Sequence, residues 1–145
     1  MIVTIKCNHS PEISPEELQL LKEIASAKRY PIANFELYSS RHDDIYTGAL
    51  ENVHLLSPEE EMTPVVQRGE LLEQLSEKGL LELDYDLPSY VKSDYVIFKE
   101  SSLYKELEEA VAEAKESGFT FDIAHMTKGV ARLTVKGNYA LSSNK

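Results

Sequence analysis

The tetrapeptide Ser-Pro-Glu-Glu occurs twice, at 14–17 and at 57–60, and these two start signals most constrain where helices can lie. In the first, Ser14 is placed to cap a helix, Pro15 has the fixed φ suited to its first position, and Glu17 stands three residues on to complete a capping box. The helix this predicts runs to about Lys28, with Leu18, Leu21, Ile24 and Ala25 on its apolar face, and Pro31 stops it. The second copy predicts a helix that has to be short, because Thr63-Pro64 interrupts it. Thr63 and Pro64 then read as cap and first position of a longer helix, about Val65–Lys78, which ends at Gly79. A third helix is expected from Ser101 or Ser102 to about Ser117, with the stripe Leu103, Leu107, Ala110, Val111 and Ala114, closed by Gly118.

The segments between these helices alternate as strands do. Ile2–Lys6 is a short strand, and Ile32–Tyr38 reads as a strand or a short helix. Ser39–Asp44 is a polar loop, and Ala49–Leu56 has a mixed pattern. Leu80–Tyr85 and Tyr95–Lys99 suggest a β-hairpin with a long tip. Phe119–His125 and Val130–Val135 suggest another, turning at Thr127-Lys128-Gly129. Lys136–Leu141 is a terminal turn or short helix. With 145 residues and no repeat or linker, residues 1–145 form a single domain of the α+β class.

The net charge of −10 argues against general affinity for nucleic acid, so such affinity has to come from a local patch. The C-terminal stretch is the candidate: no acid follows Asp122, whereas Lys128, Arg132, Lys136 and Lys145 do. A lone cysteine, Cys7, excludes an internal disulfide. No apolar run approaches the length of a membrane span, and the N-terminus lacks the pattern of a signal peptide, so the expected location is cytoplasmic. Cys7-Asn8-His9 and His42-Asp43-Asp44 offer metal-ligand types without the spacing of a structural site. His54 and His125 read as structural or surface histidines. Neither a glycine-rich phosphate loop nor a nucleophile elbow is present. The expectation is a protein that is not an enzyme and has no cofactor and no metal.

Two segments carry a resemblance. The run Leu75-Ser76-Glu77-Lys78-Gly79-Leu80-Leu81 follows the longer helix, and Ala131-Arg132-Leu133-Thr134-Val135-Lys136-Gly137 lies near the C-terminus. The first resembles the junction between recognition helix and wing strand in bacterial winged helix-turn-helix regulators. The second resembles the leucine-threonine-x-x-glycine phrase that follows the wing in those proteins. The resemblance covers residues 57–85 and 130–141 and implies a winged-helix-like core centred at about residues 55–100, with an additional helix and antiparallel hairpins. About fifty residues separate the two phrases, so the wing carries a large insertion or only one phrase is meaningful.

The activity this resemblance implies is a DNA-binding transcriptional regulator acting without catalysis. Gln67, Arg68 and Lys78 would approach the groove of double-stranded DNA, while Lys128, Arg132 and Lys136 would hold phosphates. Glu70, Glu73 and Glu77 share the polar side of that helix and oppose this. Three and four residues after Arg68 stand Leu71 and Leu72, so the helix supplies no carboxylate in that direction and Arg68 is expected to lie solvated along the apolar edge. The alternative is a non-enzymatic protein-interaction or assembly domain that keeps the winged-helix shape, joined to a second copy or to another protein. Tyrosines favour it: there are eight, against four phenylalanines and no tryptophan. Tyr85, Tyr90 and Tyr95 cluster around the first expected hairpin, where amphipathic rings suit an interface.

Overall fold

The computed structural model describes residues 12–42, 44–118 and 120–143. The strand expected at Ile2–Lys6, the Cys7-Asn8-His9 group, Asp43, Phe119 and Lys145 lie outside the described residues. The elements, in chain order, are α1 (Pro15–Ser26), β1 (Pro31–Tyr38), β2 (Tyr46–Val53), α2 (Met62–Glu77), β3 (Leu81–Asp84), a 3-10 turn (Lys92–Tyr95) leading into α3 (Val96–Glu100), α4 (Ser102–Glu116), β4 (Ile123–Leu133) and α5 (Val135–Ser143). The strands form one antiparallel sheet in the order β2-β1-β4-β3. This is an α+β fold.

The sheet is covered on both faces because its central strands are apolar on both. Ile32 joins one core with Leu20, Leu21 and Ile24 of α1, Leu72 and Leu75 of α2, and Ala140 of α5. Its neighbours Ala33 and Phe35 join the other, with Phe98, Leu103, Tyr104 and Met126. The period-2 alternation of β1 thus feeds two cores, as a central strand requires. Helix α2 bridges them, with Val65 in the second core and Leu72 and Leu75 in the first.

The first Ser-Pro-Glu-Glu does what its spacing predicts: Ser14 Oγ accepts from the N–H of Glu17 at 3.1 Å, and Glu17 Oε1 accepts from the N–H of Ser14 at 2.8 Å. The second does not start a helix. Residues 57–60 form a turn, and α2 begins at Met62. A helix begun at Pro58 would drive the ring of Pro64 into the carbonyl of Glu60. In the observed helix Pro64 falls in the first turn, where its missing N–H costs nothing. No helix lies between Val53 and Met62, so α2 is not the second half of a helix-turn-helix.

Both expected later hairpins are corrected. Tyr95–Lys99 is not a strand: Tyr95 and Phe98, three apart, are both buried, and helical geometry sends both into the second core. Nor does the chain turn at Thr127-Lys128-Gly129. Strand β4 runs straight through, pairing with β1 from Tyr38↔Ile123 to Pro31↔Val130 and with β3 from Leu81↔Leu133 to Asp84↔Val130. Gly129 serves close approach instead, since a Cβ there would lie 2.6 Å from the Asp84 carbonyl oxygen and from the Tyr85 ring. The strand Leu81–Asp84, expected to pair within residues 55–100, pairs instead with β4, which follows it by some forty residues.

Candidate functional site

Of the six residues proposed for DNA, three of the five cations are held by carboxylates. Arg68 is half-buried, and its guanidinium meets Glu60 through Nη1–Oε1 at 3.0 Å and Nη2–Oε2 at 2.8 Å. Its Nη1 also donates to the His54 carbonyl. The solvated Arg68 expected from sequence is therefore corrected: its partner comes from the turn before the helix rather than from the helix. Burial pushes the Glu60 carboxyl up, but the bond from Arg68, the N–H of Leu56 and the Arg68 charge outweigh it and leave the group below its ordinary value. Lys78 donates to Glu17 at 2.7 and 2.9 Å and to the carbonyl of Glu12 at 2.6 Å, and so locks the end of α2 to the start of α1. Arg132 reaches Glu82 and Asp84 on the adjacent strand β3.

The other three are exposed: Gln67 and Lys136, and Lys128, whose Nζ lies 5.5 Å from the centre of the Tyr95 ring. The basic groups of the expected nucleic-acid surface thus divide between ion pairs within the chain and exposed positions without a carboxylate partner among the described residues.

The three tyrosines separate in the same way. Tyr95 is buried and donates to the carbonyl of Gly129 at 2.7 Å. Tyr85 donates its hydroxyl to Oδ1 of Asn52, whose Nδ2 donates to Glu73 at 2.9 Å. Burial, with the charges of Glu51 and Glu73, pushes the Tyr85 phenol up. Asn52 holds a left-handed φ of 53°, a conformation asparagine tolerates better than most residues. Both tyrosines are internal struts. Only Tyr90 stands at the surface, 86% exposed.

Tyr90 belongs to a feature that sequence alone does not reveal. A cleft of about 440 Å³ lies between the end of α1, the loop at 87–90, the last residues of β4 and Asn138 of α5. Its walls include Ile24, Leu87, Pro88, Val130 and Leu133, and Leu87 is 71% exposed. The loop is shaped by Asp84, which accepts from the N–H groups of Asp86 and Leu87. Below it, Arg29 pairs with Asp94 at 2.7 Å, and Ser89 Oγ donates to the same carboxylate at 2.7 Å. Those bonds hold the Asp94 carboxyl below its ordinary value, the Arg29 bond foremost. Only the tyrosines hinted at this site, because its walls come from segments a hundred residues apart.

A buried polar group lies under the α1–α2 junction. The Tyr30 and His54 rings stack at 3.6 Å and 13°. The Nδ1 of His54 lies 2.7 Å from the Pro31 carbonyl, and since a carbonyl only accepts, Nδ1 carries the proton. Burial lowers the His54 pKa, and the Arg68 charge adds to this. Among the described residues no cluster of three or more histidine, cysteine, aspartate or glutamate side chains is arranged to hold a metal ion, and no helix is long and apolar enough to cross a membrane.

The two phrases that carry the regulator resemblance meet in space. Thr134 Oγ1 donates to the carbonyl of Gly79 at 2.7 Å, and its N–H donates to that of Leu80 at 3.1 Å. The same hydroxyl accepts from the N–H of Gly137 at 2.9 Å and caps α5.

No protein-family model matches the chain, and no curated protein matches it. Among solved structures, an uncharacterized protein from the hydrocarbon-degrading marine bacterium Alcanivorax borkumensis SK2 is similar, with a TM-score of 0.50 over 91% of this chain and 87% of that one, at 13% identity. A likeness at that identity shows the fold alone.

Proposed function

We propose that this protein is a non-catalytic interaction domain that holds a segment of another protein in the cleft beside Tyr90. The observation that carries this reading is the exposure of Leu87 and Tyr90 at the mouth of an apolar cleft, where burial against a partner is favourable. The rim chemistry suggests the kind of segment. Arg29 and Arg132 are neutralised by Asp94, Glu82 and Asp84, whereas Lys28 is exposed at the cleft. The segment would seat an apolar side chain between Leu87 and Tyr90 and set a carboxylate against Lys28.

One observation favours the regulator reading as well: the Gly79–Leu81 and Leu133–Gly137 phrases are neighbours, as the wing of such a protein would place them. Lys128 and Lys136 would then contact phosphate. The two readings part in one comparison. A partner identified from the host lysate and then purified should bind the wild type and the Lys128→Glu/Lys136→Glu variant alike, and lose binding to Leu87→Asp/Tyr90→Asp. Retention on duplex DNA that falls steeply with salt and vanishes in the lysine variant would replace the interaction reading with the regulator one.

A further inference from the structure

Among the described residues, strand β2 forms one edge of the sheet, and its first residues, Tyr46–Ala49, are exposed. Helix α2 shields only the far end of that edge: a Cβ on Gly69 would lie 2.8 Å from the Glu51 carbonyl oxygen. Two hollows of about 200 and 430 Å³ adjoin this strand, and both are lined by Ala49, Leu50 and Met62. Leu103 and Leu107 of α4 extend the apolar floor on one side and Val66 of α2 on the other. The rims carry Glu106 in one hollow and Glu51, Glu70 and Glu73 in the other, and no lysine, arginine or histidine lines either.

We propose that this trough is a docking site for an extended segment of a partner protein that alternates apolar and basic side chains. A strand edge offers unpaired N–H and C=O groups to an added strand. Alternation in that strand sends apolar side chains to the Leu50 and Met62 floor and basic ones to the glutamate rims. Charge selects the occupant: a second copy of this chain would bring four more carboxylates against these four, whereas a basic segment meets complementary potential. The site lies on the β2 edge and includes none of the residues of the Tyr90 cleft, so it stands whatever occupies that cleft.

The test uses the full chain and two labelled eight-residue probe peptides, one alternating lysine with valine and one alternating glutamate with valine. The lysine peptide should bind, more weakly as salt rises, and the glutamate peptide should not. Reversing two exposed rim charges, Glu70→Lys/Glu106→Lys, should weaken binding about tenfold with an unchanged melting temperature. Reversing two exposed carboxylates away from the trough, Glu113→Lys/Glu116→Lys, controls for net charge and should leave binding close to wild type. Equal losses in the two double variants, equal binding of the two peptides, or a wild-type dimer that Glu70→Lys/Glu106→Lys disrupts would each overturn the proposal.

Discussion

Arg68 lies across Glu60 in a two-pronged pair, and the same guanidinium caps the carbonyl of His54. One side chain of α2 thus fixes the turn that precedes the helix and the residue that follows β2. Both partners are only 13% exposed, so removing one strands the other. Arg68→Ala should cost about 3 kcal/mol, the range for breaking a largely buried pair. Arg68→Lys should cost less, because it keeps the charge and loses the fork. Urea denaturation of the two variants checks the order. Because the folded pKa of Glu60 is depressed, its stabilisation is complete above the ordinary carboxylate value and is lost as pH falls below it. Arg68→Ala should therefore flatten the acid limb of the stability profile.

His54 makes a second, separable pH dependence. Its folded pKa lies below the ordinary histidine value, mainly through burial. The unfolded chain then takes up its proton first as pH falls through about 6.5, which draws the equilibrium toward unfolding. The contribution is complete above that pH and is lost between it and the lower folded value. Melting temperatures at pH 7.5 and 5.5 should differ more in the wild type than in His54→Phe, which keeps a ring against Tyr30 and cannot titrate. Equal differences in the two proteins would remove His54 from the explanation.

The two Ser-Pro-Glu-Glu segments mark how far local pattern reaches. Ser14–Glu17 is decided within its own turn, and its capping box forms as spelled. Ser57–Glu60 has the same letters, but Pro64 forbids the helix, and Glu60 turns to Leu56 and Arg68 instead. The helices α1 and α4 were legible because caps and stripes are local. Gly129 read as a turn because what it accommodates is Tyr85, far away in sequence. The paired cations were legible as cations only, since Glu17, Glu60 and Glu82 reach them through tertiary structure. Tyr90 was found for its chemistry, and its cleft was not, because α1, β4 and α5 close it together.

Gly137 tests the contact that joins the two regulator-like phrases. A Cβ there would lie 2.1 Å from the Leu80 carbonyl oxygen and 2.9 Å from Cδ2 of Leu133. The carbonyl is backbone and cannot swing aside, so Gly137→Ala has to push α5 away from Leu80 and should cost about 2 kcal/mol or more. Gly118 is the contrast, with open space around it but a φ of +77°. Gly118→Ala should cost only the strain of that conformation, about 1 kcal/mol. A thermal melt that ranks Gly118→Ala as the more damaging change would contradict this account of α5.

The tyrosines supply the last prediction, because the structure gives alike residues opposite roles. Tyr85→Phe removes the hydroxyl that Asn52 Oδ1 accepts and leaves that buried acceptor unpaired, which should cost about 1–2 kcal/mol. The ring remains against Gly129 and the Tyr90 cleft is untouched, so binding of a purified partner there should keep its wild-type affinity. Tyr90→Ala removes a side chain that is largely exposed and should leave stability within about 0.5 kcal/mol of wild type. If Tyr90 anchors the partner, the same change should weaken binding by at least tenfold, as truncating an aromatic anchor at the centre of an interface does. Stability and affinity measured on both variants form a crossed pair. An affinity loss in Tyr85→Phe comparable to that in Tyr90→Ala would mean that the partner reads the α2–β2 side of the molecule rather than the cleft.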